Sequence, residues 1–286
     1  AAQGQEAWSS GRAAYPAAGD AESELSDTAA LALANARAGR PPPAADCGSA
    51  RVSEPAASDV AAPGVADPRP GHGEHWLSVI DFCCFDDSQE NRDDRLALLA
   101  TFADLPEGVA LSAPCDRGQP KAFRNAEAAF HALKFWALGA TFSRLSGRAA
   151  LQKQLRLRQH ADPTFAGYGC EWSAMSAVLA AKFAEGTAAA AALLATGDAF
   201  LLARVDPADE ENSARSWSDG GDGEGANRLG LLLLVIRDRL SGRRGWTGYL
   251  QGLFDLGTGR AASPDAGEAW QGLVRKAAMC AAPTFE

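Results

Sequence analysis

Glu127 and Lys134 are the residues whose types and spacing most directly suggest chemistry. Seven positions apart, close to two full helical turns, they share a face with Phe130, His131 and Leu138. Asn125, two residues before Glu127, is suited to cap the helix. An acid and a lysine on an apolar stripe have two physical readings. One is a polar edge with side chains snorkelling to water; the other is a pocketed carboxylate with a cation two turns away.

The second candidate is Trp217 to Leu240, WSDGGDGEGANRLGLLLLVIRDRL, which joins a glycine-punctuated polar loop to an apolar helix. Gly220, Gly221, Gly223 and Gly225 allow positive φ and close backbone approach, and Asp219, Asp222 and Glu224 keep the loop wet. Leu229, Leu232, Leu233, Ile236 and Leu240 recur at helical spacing, so loop amides would be delivered to the N-terminus of a core helix, where an anion is welcome. A solvated turn before a buried helix explains the same pattern.

Other constellations fall away. HGEH at His72 to His75 has no further histidine until His131, so no metal site is expected. No Gly-Lys-Ser/Thr follows the glycine loop and no strand is expected immediately before Gly220, which removes the Walker and dinucleotide-binding readings. There is no G-x-S-x-G elbow, and four histidines leave little for a Ser-His-Asp system. The formal charge of -9, with no Lys/Arg run, argues against a general polyanion binder. The six cysteines show no C-x-x-C spacing and read as reduced thiols. No apolar run approaches the ~20 residues of a membrane span, the longest being broken by Gly230. A soluble protein of a reducing compartment, cytoplasm or organelle interior, is expected.

The elements that must position these residues follow from composition and periodicity. Residues 1–75 are rich in Ala, Pro and Gly and read as a low-complexity tail; a folded domain is expected over 76–240, and 241–286 as a C-terminal extension with an amphipathic helix near Trp270 to Ala277. LSVIDFCCF and Ala199 to Val205 read as strands. Helices are expected over Arg92 to Phe102, 125–138, Arg144 to His160, 172–185, 187–195 and 228–240, and Asp206 to Ser216 as an acidic loop. The fold class is mainly α with a small β component (α+β).

Asn125-Ala126-Glu127, Lys134-Phe135, Trp172, Lys182-Phe183, Leu193 to Gly197 and Trp217 … Gly220 to Gly230 … Arg237, in that order and spacing, resemble the NADAR (YbiA-like) family from about Val79 to Leu240. The resemblance implies a compact helical domain that hydrolyses a ribosyl C1–N bond. The implied substrate is a riboflavin-pathway ribosylamino-pyrimidine phosphate or an ADP-ribosylated nucleobase, with no metal or redox cofactor. Glu127 matches the family's acid. Lys134 would support the Glu127 charge or the ribosyl phosphate, Trp172 or Trp217 would stack on the base, and Gly221, Gly223 and Asn227 would contact the ribosyl phosphate.

The chain departs from the family pattern at Ala128 (usually histidine), at Ala100-Thr101 (usually Ser-Asn), at Ser218 (usually glycine) and at Ala214 (usually aspartate). Two expectations follow. One is an active N-glycosidase using Glu127. The other is a catalytically decayed member acting as a subunit of a larger assembly, with 1–75 and 241–286 as contact arms for protein partners.

Overall fold

A computed structural model describes residues 78–83, 94–118, 120–205 and 212–281. The expected tail, the HGEH motif and most of the acidic loop lie outside them. In chain order the elements are β1 (Val79–Cys83), a one-turn α1 (Asp94–Ala97), β2 (Val109–Leu111), β3 (Lys121–Phe123) and α2 (Ala126–Leu133). A 3-10 helix (Trp136–Phe142), α3 (Gly147–Leu157), α4 (Glu171–Lys182) and α5 (Ala188–Ala195) follow. Then come β4 (Phe200–Arg204), α6 (Asn212–Trp217), α7 (Arg228–Ser241), α8 (Gly245–Gln251), β5 (Phe254–Asp255), β6 (Arg260–Ala261) and α9 (Pro264–Ala281). The architecture is α+β with helices dominant and three two-stranded sheets among the described residues.

The parallel pair β1–β4, with Val79 opposite Phe200 and Cys83 opposite Arg204, is the centre of one half of the molecule. β4 is buried from Phe200 to Ala203, because α7 and α9 both pack on it. Phe200 meets Trp246 of α8 and Trp270 of α9, with ring centroids 5.8 and 5.4 Å apart. The packing therefore runs without a break across residue 240. Arg237 is buried in this half, donating to the Thr196 hydroxyl and the Ala199 carbonyl at 2.7 and 2.8 Å, so the α5–β4 turn is tied to α7.

The sequence pattern for α7 is a stripe, yet Leu231 and Leu234 are buried along with Leu229, Leu232, Leu233 and Ile236. β4, α4, α5 and α8 enclose it on several sides, and an enclosed helix loses its polar face. The Arg92 to Phe102 helix is shorter than expected, four helical residues followed by turns. The helix bearing Glu127 ends at Leu133 rather than 138, where the chain tightens into the 3-10 helix. Part of the expected acidic loop is helical, as α6.

The second edge of β4 carries the most informative contact. Asn227 accepts from the Ala203 amide and donates to the Leu201 carbonyl, both at 3.0 Å, and the Asp219 amide donates to the Ala203 carbonyl at 2.8 Å. A side-chain amide thus stands in for a third strand, satisfying backbone groups buried away from water. Asn227 is left-handed, at φ 46°, a conformation asparagine tolerates far better than most residues. Asn227→Ala strands a buried donor and a buried acceptor, and is expected to cost about 3 kcal/mol. Urea unfolding measures this; a change below about 1 kcal/mol would show that the clasp is replaceable.

Candidate active site

Asn125 sets the site by fixing the start of α2. Its side chain accepts from the Ala128 amide at 2.8 Å and donates to Asp104 and to the Leu145 carbonyl, both at 3.0 Å. One residue into the helix, the Glu127 amide donates to the Thr101 carbonyl at 3.0 Å, and the Glu127 side chain points inward with the residue 7% exposed. His131, one turn on, places Nε2 2.9 Å from Glu127 Oε1. The approach lacks hydrogen-bond alignment, and among the described residues neither ring nitrogen of this buried imidazole has a hydrogen-bond partner. Buried polar atoms are paired in the large majority of cases, so an orphan beside a buried carboxylate marks a functional candidate.

Two lysines lie within the electrostatic field of this carboxylate. Lys134, half-buried, stands over the rings of Phe130 and Phe165 at 5.2 and 5.6 Å. Burial lowers its pKa, while the charges of Glu171 and Glu127 oppose that loss. Lys182, at the end of α4, is 1% exposed and donates to the Ala100 carbonyl. Burial depresses its pKa to about 7, again against the field of Glu127. In the sequence Lys182 stands out only through the Lys182-Phe183 motif of the family resemblance, because periodicity cannot tell a buried cation from the edge of a polar face.

The remaining predicted residues divide. Trp217 is half-buried and meets Phe130 edge-on at 6.1 Å, so it belongs to the same wall as Lys134. Trp172 does not offer a stacking face. It is 2% exposed, its Nε1 donates to the Leu256 carbonyl at 2.9 Å, and a Cβ at Gly259 would stand 2.4 Å from its ring. A small cleft of about 70 Å³ reaches Trp172 from the side of Ser176, Leu232 and Leu256, and its lining includes neither Glu127 nor Lys134.

The glycine loop also differs from the expected cradle. Gly221 donates to Asp219 Oδ1 at 2.9 Å, Gly220 to Ser218 Oγ at 3.0 Å, and Gly225 to the Asp219 carbonyl at 2.7 Å. Gly223 lies against α9, where a Cβ would meet Ala278 at 3.1 Å and where Gln271 donates to its carbonyl at 2.7 Å. With Asn227 committed to β4, the loop spends its hydrogen bonds on its own closure.

Arg228 is the site residue that sequence reasoning missed. Its guanidinium lies 5.2 Å from the centroid of Trp172 and 5.1 Å from that of Trp217. It donates from Nη1 to Glu171 at 3.0 Å and to Ser216 at 3.2 Å. The signal available was its place directly after Asn227, with tryptophans elsewhere in the chain. Among the described residues no group of three or more His, Cys, Asp and Glu could hold a metal ion. No helix there is long and apolar enough to cross a membrane.

The chain matches no family model. It is 43% identical over 67 residues to the N-glycosidase YbiA of Shigella boydii and, over the same length, to that of Escherichia coli. Each match covers 23% of this chain and 38% of the relative. It is 37% identical over 75 residues to a riboflavin biosynthesis protein of Vibrio vulnificus, covering 26% of this chain and 18% of that protein. The solution structure of Escherichia coli YbiA superposes with a TM-score of 0.40 at 24% identity, over 58% of this chain and 88% of that one. Over part of its length, this chain is a relative of the YbiA-like (NADAR) family.

Proposed function

We propose that the protein is an N-glycosidase-type hydrolase in which Glu127 acts at a ribosyl C1–N bond. Its substrate class is a ribosylamino-pyrimidine phosphate or an ADP-ribosylated base. One observation carries the reading: a nearly buried carboxylate in the field of the buried Lys182 and the half-buried Lys134, with the His131 imidazole 2.9 Å away. As the C1–N bond breaks, its electron pair leaves with nitrogen and positive charge builds on C1 and the ring oxygen. Glu127 opposes that charge in a site where electrostatic interactions are weakly screened. Water then adds its oxygen to C1, Glu127 accepts the water proton, and the departing nitrogen takes up one proton, so that one water is consumed. His131, three residues on, supplies an imidazole in a chain that carries Ala128 where the family usually has histidine. Trp217 gives the base an aromatic face, with the buried Phe130 behind it.

Lys182 acts here as a positioning residue. It holds the Ala100 carbonyl while the next carbonyl, that of Thr101, holds the Glu127 amide, so the two residues brace one short segment from opposite sides. The covered Trp172 and the self-satisfied loop favour the alternative, a decayed member serving as a subunit. Incubation with a 5-amino-6-ribosylamino-pyrimidine phosphate, and separately with ADP-ribosylated guanine DNA, decides between them. Glu127→Gln is expected to lower release of ribose phosphate or free base by about 10²–10⁴-fold, and equal background from both proteins on both substrates sinks the enzyme reading.

Lys182 also predicts a pH dependence of stability. Its pKa falls from the usual 10.5 to about 7 in the folded chain, so between those values the unfolded chain binds the extra proton and stability rises with pH. Below about 7 both states are protonated and the cost of burying the ammonium is fully present. In Lys182→Met that rise is lost, so the urea midpoint of the wild type is expected to gain on the variant's between about pH 7 and pH 9.5. Parallel pH profiles would assign the rise to other groups.

A further inference from the structure

From Ala128 to Ala161 the chain carries no Asp or Glu, while Lys134, Arg144, Arg148, Lys153, Arg156 and Arg158 all fall within that stretch. In a protein with 36 acidic residues and a formal charge of -9, such segregation concentrates positive potential on one part of the surface. α3 collects most of it. Ser146 caps the helix, and Gly147, Ala150 and Leu157 bury its inner side, so Arg148, Gln152 and Arg156, spaced four apart, form one exposed row. Arg144 before the helix and Arg158 after it are exposed as well. Among the described residues no carboxylate pairs with Arg144, Arg148 or Arg158.

The row fits a partner whose negative charge repeats along a line. At about 1.5 Å per residue, Arg148 and Arg156 stand about 12 Å apart along the helix, the axial length of three or four phosphates at about 3.4 Å each on one strand of a DNA duplex. Guanidinium forks and the Gln152 amide are donors that phosphate oxygens accept from. A lipid surface fits less well, because a helix lying on it needs a free apolar face, and Leu155 is the one exposed leucine of α3. We propose that α3 and the arginines flanking it dock the phosphate backbone of a nucleic acid without reading its sequence. α3 packs on α2, the helix that bears Glu127. Backbone docking goes beyond the N-glycosidase reading and stands without turnover; where that reading also holds, docking selects a base carried on nucleic acid over a free pyrimidine phosphate.

The test is fluorescence anisotropy of a short labelled DNA duplex of mixed sequence, titrated with the full chain at about 50 to 200 mM salt. Binding is expected with a Kd on the order of 10⁻⁵ M at the lower salt, weakening steeply as salt rises. Arg148→Gln/Arg156→Gln is expected to weaken binding by about tenfold or more and to flatten the slope of log Kd against log salt by about 2. Arg148→Lys/Arg156→Lys keeps both charges and is expected to retain the slope. Arg239→Gln/Arg243→Gln removes equal charge from exposed positions at the end of α7 and is expected to leave binding unchanged. Equal losses from the two glutamine double variants, no binding at the lower salt, or tighter binding of polyglutamate than of the duplex would each overturn the assignment. The two proposals fail separately: a chain that binds the duplex yet releases neither base nor ribose phosphate keeps this surface and loses the enzyme reading, and one that hydrolyses the free pyrimidine phosphate without binding DNA does the reverse.

Discussion

The contact on which most of this structure depends is the one between the Asn227 side chain and the outer edge of β4. A two-stranded parallel sheet leaves a row of peptide groups on each outer edge, and here that edge is buried. Asn227 and the Asp219 amide close it. The positive-φ glycines make sense in this light: Gly220, Gly221 and Gly223 turn the chain tightly enough to bring two residues only eight apart back onto one strand. Gly230 adds a second constraint, since a Cβ there would stand 2.2 Å from the Leu201 carbonyl. The loop is a device for closing a sheet, and its effect on chemistry is indirect, through the residues at its two ends.

Those ends are Trp217 and Arg228. Fixing Asn227 fixes the residue after it, so the guanidinium enters the gap between the two indoles as a consequence of how β4 is completed. On the other side of the same wall, Asn125 performs a similar service for Glu127 by capping α2 and tying it to Asp104 and Leu145. Two asparagines, each fully buried and each satisfied through its amide, thus hold the acid and the cation in register. Buried amides suit this work because they carry no net charge, and so add directionality without a large desolvation cost.

Much of the framework was legible in the sequence. Glu127 and Lys134 sit on one side of their segment because their spacing is close to two turns, α7 announces itself by leucines at helical spacing, and β4 by the short apolar run Ala199 to Ala203. The parts that were not legible share one cause, which is dependence on a distant partner. Nothing local tells that Gly223 abuts Ala278, that Trp172 is covered by Gly259, or that Lys182 reaches Ala100, contacts that link residues many tens of positions apart. The short β2–β3 pairing escaped for the same reason: three-residue strands carry too little periodicity to be read without their neighbour. Asn227 was noticed for its type, yet an amide that binds a ligand and one that binds a strand look alike until the strand is located.

The covering of Trp172 changes what a tryptophan contributes here. An indole with an open face can bind a base; one sandwiched between Gly259 and a guanidinium can only hold that guanidinium. The segment that covers it, from Leu256 to Gly259, belongs to the β5–β6 hairpin, and the following α9 packs on Gly223 through Ala278 and ties to Ala226 through Trp270 Nε1 at 2.8 Å. The same C-terminal stretch therefore bears on Arg228 twice, once through Trp172 and once through the loop that ends beside it. Its packing covers the Trp172 ring at Gly259 and leaves that ring as a neighbour of the Arg228 guanidinium, so the C-terminal stretch sets the surroundings of Arg228 without touching it.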